Sequence, residues 1–316
     1  MLYELNLMVY ELNLMVYGLN LMMYALKYNA ARIEKGMKKG KNQYLHNQEI
    51  ENFIAAKDAR NESYSQADIA YINEYEGAGG LASKGATGEG LLYEFYTPAF
   101  IVELMWDLAR FHGFKENYHD GYVLEPAAGT GRMLKHVKDY RKCVAFETNP
   151  VSARICELTY PGVEVHKGHF ETGFLAPNRF TRRITKGGIP PYIYPGSQTR
   201  VTEVKDGLTW LTRYPFDLAI TNPPYGIYQN KYSSFFPEGR KVKQTEIFFM
   251  LMSLKLLKPG GLMVFITSSN FMRNGDSYNT GKAELAKICN IVDAYRLPAV
   301  FHNTEVPTDI LVFRRK

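Results

Sequence analysis

The stretch "LEPAAGTGRM", residues 124–133, decides the fold. An apolar run, "GYVLE", ends at Glu125, and the chain passes through Pro126, Ala127, Gly129 and Gly131 before a new periodic segment begins. A strand that stops at a small, glycine-rich turn ahead of a helix lets backbone amides come close to a ligand. Taken alone, Gly129-Thr-Gly131 is a weak signal that dehydrogenases and many other folds satisfy. The next apolar run, "CVAFE", ends at Glu147, 22 residues after Glu125. An acidic residue about 20 residues beyond the turn is placed to accept hydrogen bonds from ribose hydroxyls. The competing reading of Glu147 is a carboxylate at the start of the helix in "NPVSARI".

Outward from this stretch, short apolar runs alternate with helical segments. "GYVLE", "CVAFE", "VEVH", "FDLAIT", "LMVFIT", "IVDAYRL" and "TDILVF" read as strands, with helices such as "VSARICELTY" and "TEIFFMLMSLKLL" between them. This alternation predicts an α/β domain with a mainly parallel sheet over residues 88–316. Residues 29–87 differ. They are polar, with helical spacing in "NQEIENFIAAKDAR", serine capping residues in "SYSQADIAYINEY" and a glycine-rich linker, "GAGGLASKGATGEG". Residues 1–28 repeat a heptapeptide: "LYELNLM", "VYELNLM", "VYGLNLM" and the decayed "MYALKYN". Apolar residues also fill the outward positions of this repeat, and no complementary charges flank a seam. It reads as a tandem duplication outside the fold.

The bulk numbers exclude several classes. With 316 residues, 46% hydrophobic and 22% charged, the chain can bury a full core. No uncharged apolar run of about 18 residues is present, which speaks against a membrane span. The three cysteines, Cys143, Cys156 and Cys289, fit neither a C-x-x-C pair nor a zinc pattern, and read as buried thiols of a cytoplasmic protein. His112, His119, His166, His169 and His302 show no metal-ligand spacing, so no metal is expected. Net charge is +6, but residues 172–215 carry +5 and residues 226–245 carry +3. Both basic segments flank "NPPY" at 222–225, which points to a polyanion such as nucleic acid.

"AITNPPYGIY", residues 219–228, completes the pattern. Consecutive prolines end the strand before it. With "EFYTP" at 94–98, "EPAAGTG" at 125–131, "FETNP" at 146–150, "GHF" at 168–170, "LLKPGGLMVFITSSNFM" at 256–272 and "AVFHNTEVPTDILVF" at 299–313, the ordered motifs resemble the N6-adenine DNA methyltransferases of restriction-modification systems, gamma-like in motif order. The resemblance runs from about Gly88 to Lys316. It implies a Rossmann-like, S-adenosylmethionine-dependent methyltransferase fold: a seven-stranded, mainly parallel sheet with an antiparallel last strand, preceded by a small helical region.

The resemblance also implies roles. S-adenosylmethionine lies in the loop from Glu125, Pro126 and Ala127 to Gly129 and Gly131, with Glu147 on its ribose. The backbone near Thr97 and Pro98 contacts its methionine part, and Phe170 packs on its adenine. The family has an Asp where His169 stands, accepting a hydrogen bond from the cofactor; a neutral imidazole can do so in the right tautomer, a protonated one cannot. Asn222 and Pro223 accept the hydrogens of the target amino group, Pro224 stiffens the segment, and Tyr225 and Phe301 stack on an adenine flipped out of DNA. Phe301 alone would read as a core ring. A cytosine-C5 mechanism is disfavoured, because no cysteine lies in a Pro-Cys turn.

Three other readings stay open at this level. "NPPY" suits N-methylation of an RNA adenine or a protein glutamine equally well. His169 and the repetitive start suit a methyltransferase fold kept as a DNA-binding or assembly module. Finally, a target-recognition region follows these motifs in the family or comes from a separate specificity subunit; the expectation is such a partner, or descent from a larger enzyme. "YEGAGGL" leading to "GEGLLYEFYTP" resembles the methylase region of large methylase-helicase polypeptides of mobile elements.

Overall fold

The computed structural model describes residues 39–76, 96–176, 211, 214–228, 242–273, 276–297 and 307–316, with two-residue strands at 192–193, 200–201 and 203–204. The heptapeptide repeat, Phe301 and much of both basic segments lie outside the described residues.

Seven strands form the central sheet: β1 (Val123–Glu125), β2 (Cys143–Glu147), β3 (Glu164–Lys167), β4 (Phe216–Thr221), β5 (Leu257–Ser268), β6 (Cys289–Arg296) and β7 (Thr308–Arg315). Their order is β6-β7-β5-β4-β1-β2-β3. The pairs β3-β2, β2-β1, β1-β4 and β4-β5 are parallel, whereas β7 runs antiparallel to both its neighbours. All seven apolar runs in the sequence are strands, and the last is the reversed one, as expected.

Period-two alternation divides the residues of the central strands between two cores, so both faces of the middle of the sheet are dry. Leu124, Met263, Phe265, Leu311 and Phe313 face one core; Val123, Leu218, Ile220, Val264, Ile266, Ile310 and Val312 face the other. Over the first lie α5 (Thr245–Leu256) and α6 (Asp276–Ile288). Helix α5 is apolar around most of its circumference, which only a helix buried on nearly every side tolerates. Helix α3 (Ala99–Phe111) covers the second core, where the fully buried Trp106 donates its indole N–H to the Met133 carbonyl at 2.7 Å.

Ahead of the sheet, α1 (Lys39–Ala59) and α2 (Gln66–Ile72) form a pair. Ser65 and Asp68 close a capping box at the start of α2, the serine signal seen in the sequence. Ile50, Ile54, Ile72 and Tyr75 pack on Ile155 of α4 (Pro150–Thr159), and Arg154 reaches Asp58 at 2.8 Å. The helical region therefore rests on the outer surface of the first α/β crossover.

One local expectation changes. After Gly131 the chain forms a short 3-10 helix, Arg132–His136, rather than an α-helix. Of the connection from β1 to β2, only residues 132–142 follow the glycine turn, and they must return alongside a strand of five residues. A 3-10 turn rises about 2.0 Å per residue against about 1.5 Å in an α-helix, so it spans more with fewer residues.

Candidate active site

Strand order creates the site. From β1 the sheet grows one way through β2 and β3 and the other way through β4, β5, β7 and β6, so the loops leaving β1 and β4 diverge at the switch point. Val123 pairs with Leu218 and Leu124 with Ala219, which brings the ends of the two strands, with Glu125 and Thr221, together at the carboxyl edge.

The loop after β1 is held by its neighbours. The Ala128 amide donates to the Phe146 carbonyl at 2.8 Å, the Gly131 amide to the Ala128 carbonyl at 2.8 Å, and the Gly129 amide to Glu147 Oε2 at 2.7 Å. Glu147 Oε1 accepts the Asn149 amide at 2.6 Å, while the Asn149 side chain caps α4. Glu147 thus braces both the glycine loop and the start of α4. Gly129 and Gly131 have φ of +54° and +83°, and a Cβ at Gly129 would come within 2.9 Å of the Tyr96 ring. Only glycine satisfies both the torsion and the approach.

Glu125 is fully buried. Its Oε1 accepts the Ala127 amide at 3.1 Å, while Oε2 and the neighbouring Thr221 Oγ1 have no hydrogen-bond partner among the described residues. Burial pushes the Glu125 carboxyl up to about 8; the Thr221 hydroxyl, close by without closing a hydrogen bond, and the Ala127 amide oppose this. Buried polar atoms without partners are uncommon in native folds, and these two stand where β1 and β4 end and the glycine loop begins.

On the other side of the switch point, the Asn222 amide is gripped at both ends. Its Nδ2 donates to Thr97 Oγ1 at 3.1 Å, and its Oδ1 accepts the Tyr225 hydroxyl at 2.5 Å. Burial, with the Glu246 carboxyl nearby, holds the Tyr225 phenol well above its ordinary range, so it stays a proton donor. Pro223 is buried and Pro224 half-buried. Beyond them the Gly226 amide points to Glu246 Oε2 at 3.4 Å, and Glu246 accepts the Tyr278 hydroxyl at 2.7 Å.

Thr97, Glu125, Pro126, Ala127, Gly129, Gly131, Glu147, Asn222, Pro223 and Tyr225 thus lie along one edge, on loops joined by hydrogen bonds or adjacent strands. Pro98 stands at the N-cap of α3, its carbonyl accepting the Ile101 and Val102 amides. His169 is half-buried, and its carbonyl accepts the Thr172 amide and hydroxyl. Phe170 is 1% exposed, enclosed by Phe146, Phe174 and Phe249. Contact with a nucleobase requires those rings to shift. The three cysteines are reduced and buried, and burial raises their thiols, which leaves no ready nucleophile among them.

Sequence reasoning missed Tyr96, Thr221 and Glu246. Tyr96 lies over the glycine loop with its hydroxyl 2.7 Å from Ser152 Oγ and the Arg132 guanidinium 5.1 Å from its ring. It stands within "EFYTP", where only Thr97 and Pro98 were singled out.

Among curated proteins the chain is 26% identical over 238 residues to "Defense against restriction protein B" of Escherichia phage P1, a match covering 73% of this chain and 9% of that protein. It therefore spans about a tenth of that relative's length. Among solved structures it is similar to DrdV in a complex with DNA (TM-score 0.51, 16% identity, 84% of this chain and 30% of that one). It is also similar to the type I restriction-modification methyltransferase subunit of Streptococcus thermophilus (TM-score 0.47, 17% identity, 70% and 45%). The profile described as N-6 DNA Methylase matches residues 75–316. Its span takes in the glycine loop, Glu147, the Asn222 clamp and every strand of the sheet, and the chain belongs to the N-6 DNA methylase family.

Proposed function

We propose that this chain transfers a methyl group from S-adenosylmethionine to the N6 amino group of an adenine flipped out of DNA, in a restriction-modification or mobile-element setting. The observation that carries the reading is the Asn222 amide, clamped between Thr97 and Tyr225 beside the buried Glu125 and Thr221. S-adenosylmethionine, the cofactor of this family, supplies an electrophilic methyl group when bound. Two features at the end of β1 suit it: Glu125 Oε2 and Thr221 Oγ1 are buried oxygens without a partner among the described residues, and Gly129 lets the Tyr96 ring close over the loop that would hold the cofactor.

The amino group of adenine is a poor nucleophile because its lone pair is delocalised into the ring. Asn222 Oδ1 and the Pro223 carbonyl each accept one N6 hydrogen, favouring a geometry with the lone pair directed out of the plane. A carbonyl oxygen has two lone pairs, so Asn222 can accept this hydrogen beside the Tyr225 hydroxyl or in its place. Thr97 keeps the amide from turning. The rigid Pro223-Pro224 segment sets both acceptors in advance, a positioning contribution rather than covalent catalysis. Tyr225 stacks on one face of the base and Phe301 on the other, Glu147 holds the cofactor ribose, His169 lines its adenine end, and Phe170 packs on that adenine once the rings enclosing it shift. DNA as substrate follows the family and the two basic segments; a specificity subunit, or a recognition region elsewhere in a longer polypeptide, reads the sequence.

Calorimetric titration with S-adenosylmethionine and a methyl-transfer assay on DNA test this together. Asn222→Ala is expected to abolish turnover and leave cofactor binding largely intact, whereas Glu147→Ala weakens binding itself. Loss of both functions in Asn222→Ala would remove its assigned role. No cofactor binding by a folded chain would favour a non-catalytic module, the reading His169 supports.

A further inference from the structure

Two residues beyond Tyr225, Ile227 is 74% exposed. Its backbone is firmly held. Ile227 bridges Gln244 in antiparallel pairing, the Tyr228 amide donates to the Lys243 carbonyl at 2.8 Å, and the Thr245 amide to the Gly226 carbonyl at 2.8 Å. Next along the chain, the Tyr228 ring stacks on Phe248 at 4.3 Å and its hydroxyl reaches the buried Glu171 at 2.9 Å. A β-branched apolar side chain therefore projects from an isolated antiparallel bridge tied into the core. Gly226, with φ of +123°, turns the chain between it and Tyr225. Lys243, exposed on the opposing segment next to Gln244, adds a positive charge near Ile227.

We infer that Ile227 is a wedge: it enters the base stack of duplex DNA beside the target adenine and fills the space that flipping opens. The inference rests on the proposed flipping of adenine in DNA. Removing a base from a stack leaves an apolar gap between neighbouring pairs, and rigid aliphatic side chains suit such gaps. An exposed isoleucine gains by leaving water, and its anchored backbone loses little freedom on insertion. The neighbouring lysine matches the phosphates flanking the step. Because Ile227 follows Tyr225 so closely, one short segment would both receive the flipped base and support the strand it left.

Single strands provide the discriminating measurement, because they have no paired stack to open. The full chain, Ile227→Ala and Tyr118→Ala are assayed for methyl transfer to unmethylated bacterial genomic DNA, native and heat-denatured, with S-adenosylmethionine affinity measured in parallel. Tyr118 is 89% exposed at the opposite edge of the sheet, before β1, and controls for loss of surface apolar area. Ile227→Ala is expected to lower transfer to duplex by about tenfold or more, the scale of one lost stacking contact, with denatured DNA and cofactor affinity unchanged. An unaltered duplex-to-single-strand ratio, or equal loss on both substrates, would overturn the wedge. If the unmodified chain methylates neither form of DNA, the proposed function fails first and the wedge fails with it.

Discussion

Glu125 shows how a single buried group in the candidate site bears on stability. Its carboxyl is raised in the folded chain to about 8 from an ordinary value near 4.5. A group raised on folding contributes fully to stability below its unfolded value and loses that contribution as pH rises through its folded one. Thermal stability should therefore fall between about pH 4.5 and pH 8, and Glu125→Gln should flatten that slope; differential scanning calorimetry across the range measures it. An equal slope in the variant would assign the dependence to another group. The identity of Glu125 and Glu147 as candidate site residues was legible from spacing and the end of a strand. The burial of Glu125 beside an unpartnered Thr221 was not, because β4 begins 91 residues after β1 ends.

Among elements, the glycine loop is the junction. Tyr96 packs against Gly129, bonds to Ser152 of α4 and lies 6.4 Å from Tyr75, which follows α2. Removing only its hydroxyl, in Tyr96→Phe, should cost about 1 kcal/mol, the net worth of one hydrogen bond, read as a lower urea midpoint. Tyr96→Ala should cost more and weaken S-adenosylmethionine binding as the loop loses its cover. A Tyr96→Ala variant with unchanged cofactor affinity would show that the loop holds itself. The helices themselves were readable: Ser65 and Asp68 announce the start of α2, and Asn149-Pro150 that of α4. The 3-10 turn after Gly131 was not, since its form depends on the distance back to β2 and on the Trp106 bond to Met133.

For the whole molecule, charge would govern the proposed encounter with DNA. The two basic segments together carry +8 against a net +6, so duplex binding should weaken steeply with salt, with a slope in log K of roughly −0.9 per phosphate contact. Replacing Lys231, Arg240, Lys241 and Lys243 with Gln should reduce that slope and leave S-adenosylmethionine affinity unchanged; fluorescence anisotropy over a salt series measures it. An unchanged slope would place the phosphate contacts elsewhere. The sequence by itself determined the seven strands, the reversed last strand, the glycine turn, its acidic partner and the "NPPY" segment, because periodicity, residue type and motif order are properties of the chain read in line. Only the tertiary structure decided that Thr97 would grip Asn222 across 125 positions, that Phe170 would be enclosed by three rings, and that Ile227 would stand exposed at a bridge to Gln244. Those outcomes follow from strand order: placing β1 beside β4 chooses which loops share an edge, and no local pattern encodes which distant side chain will complete a hydrogen bond there.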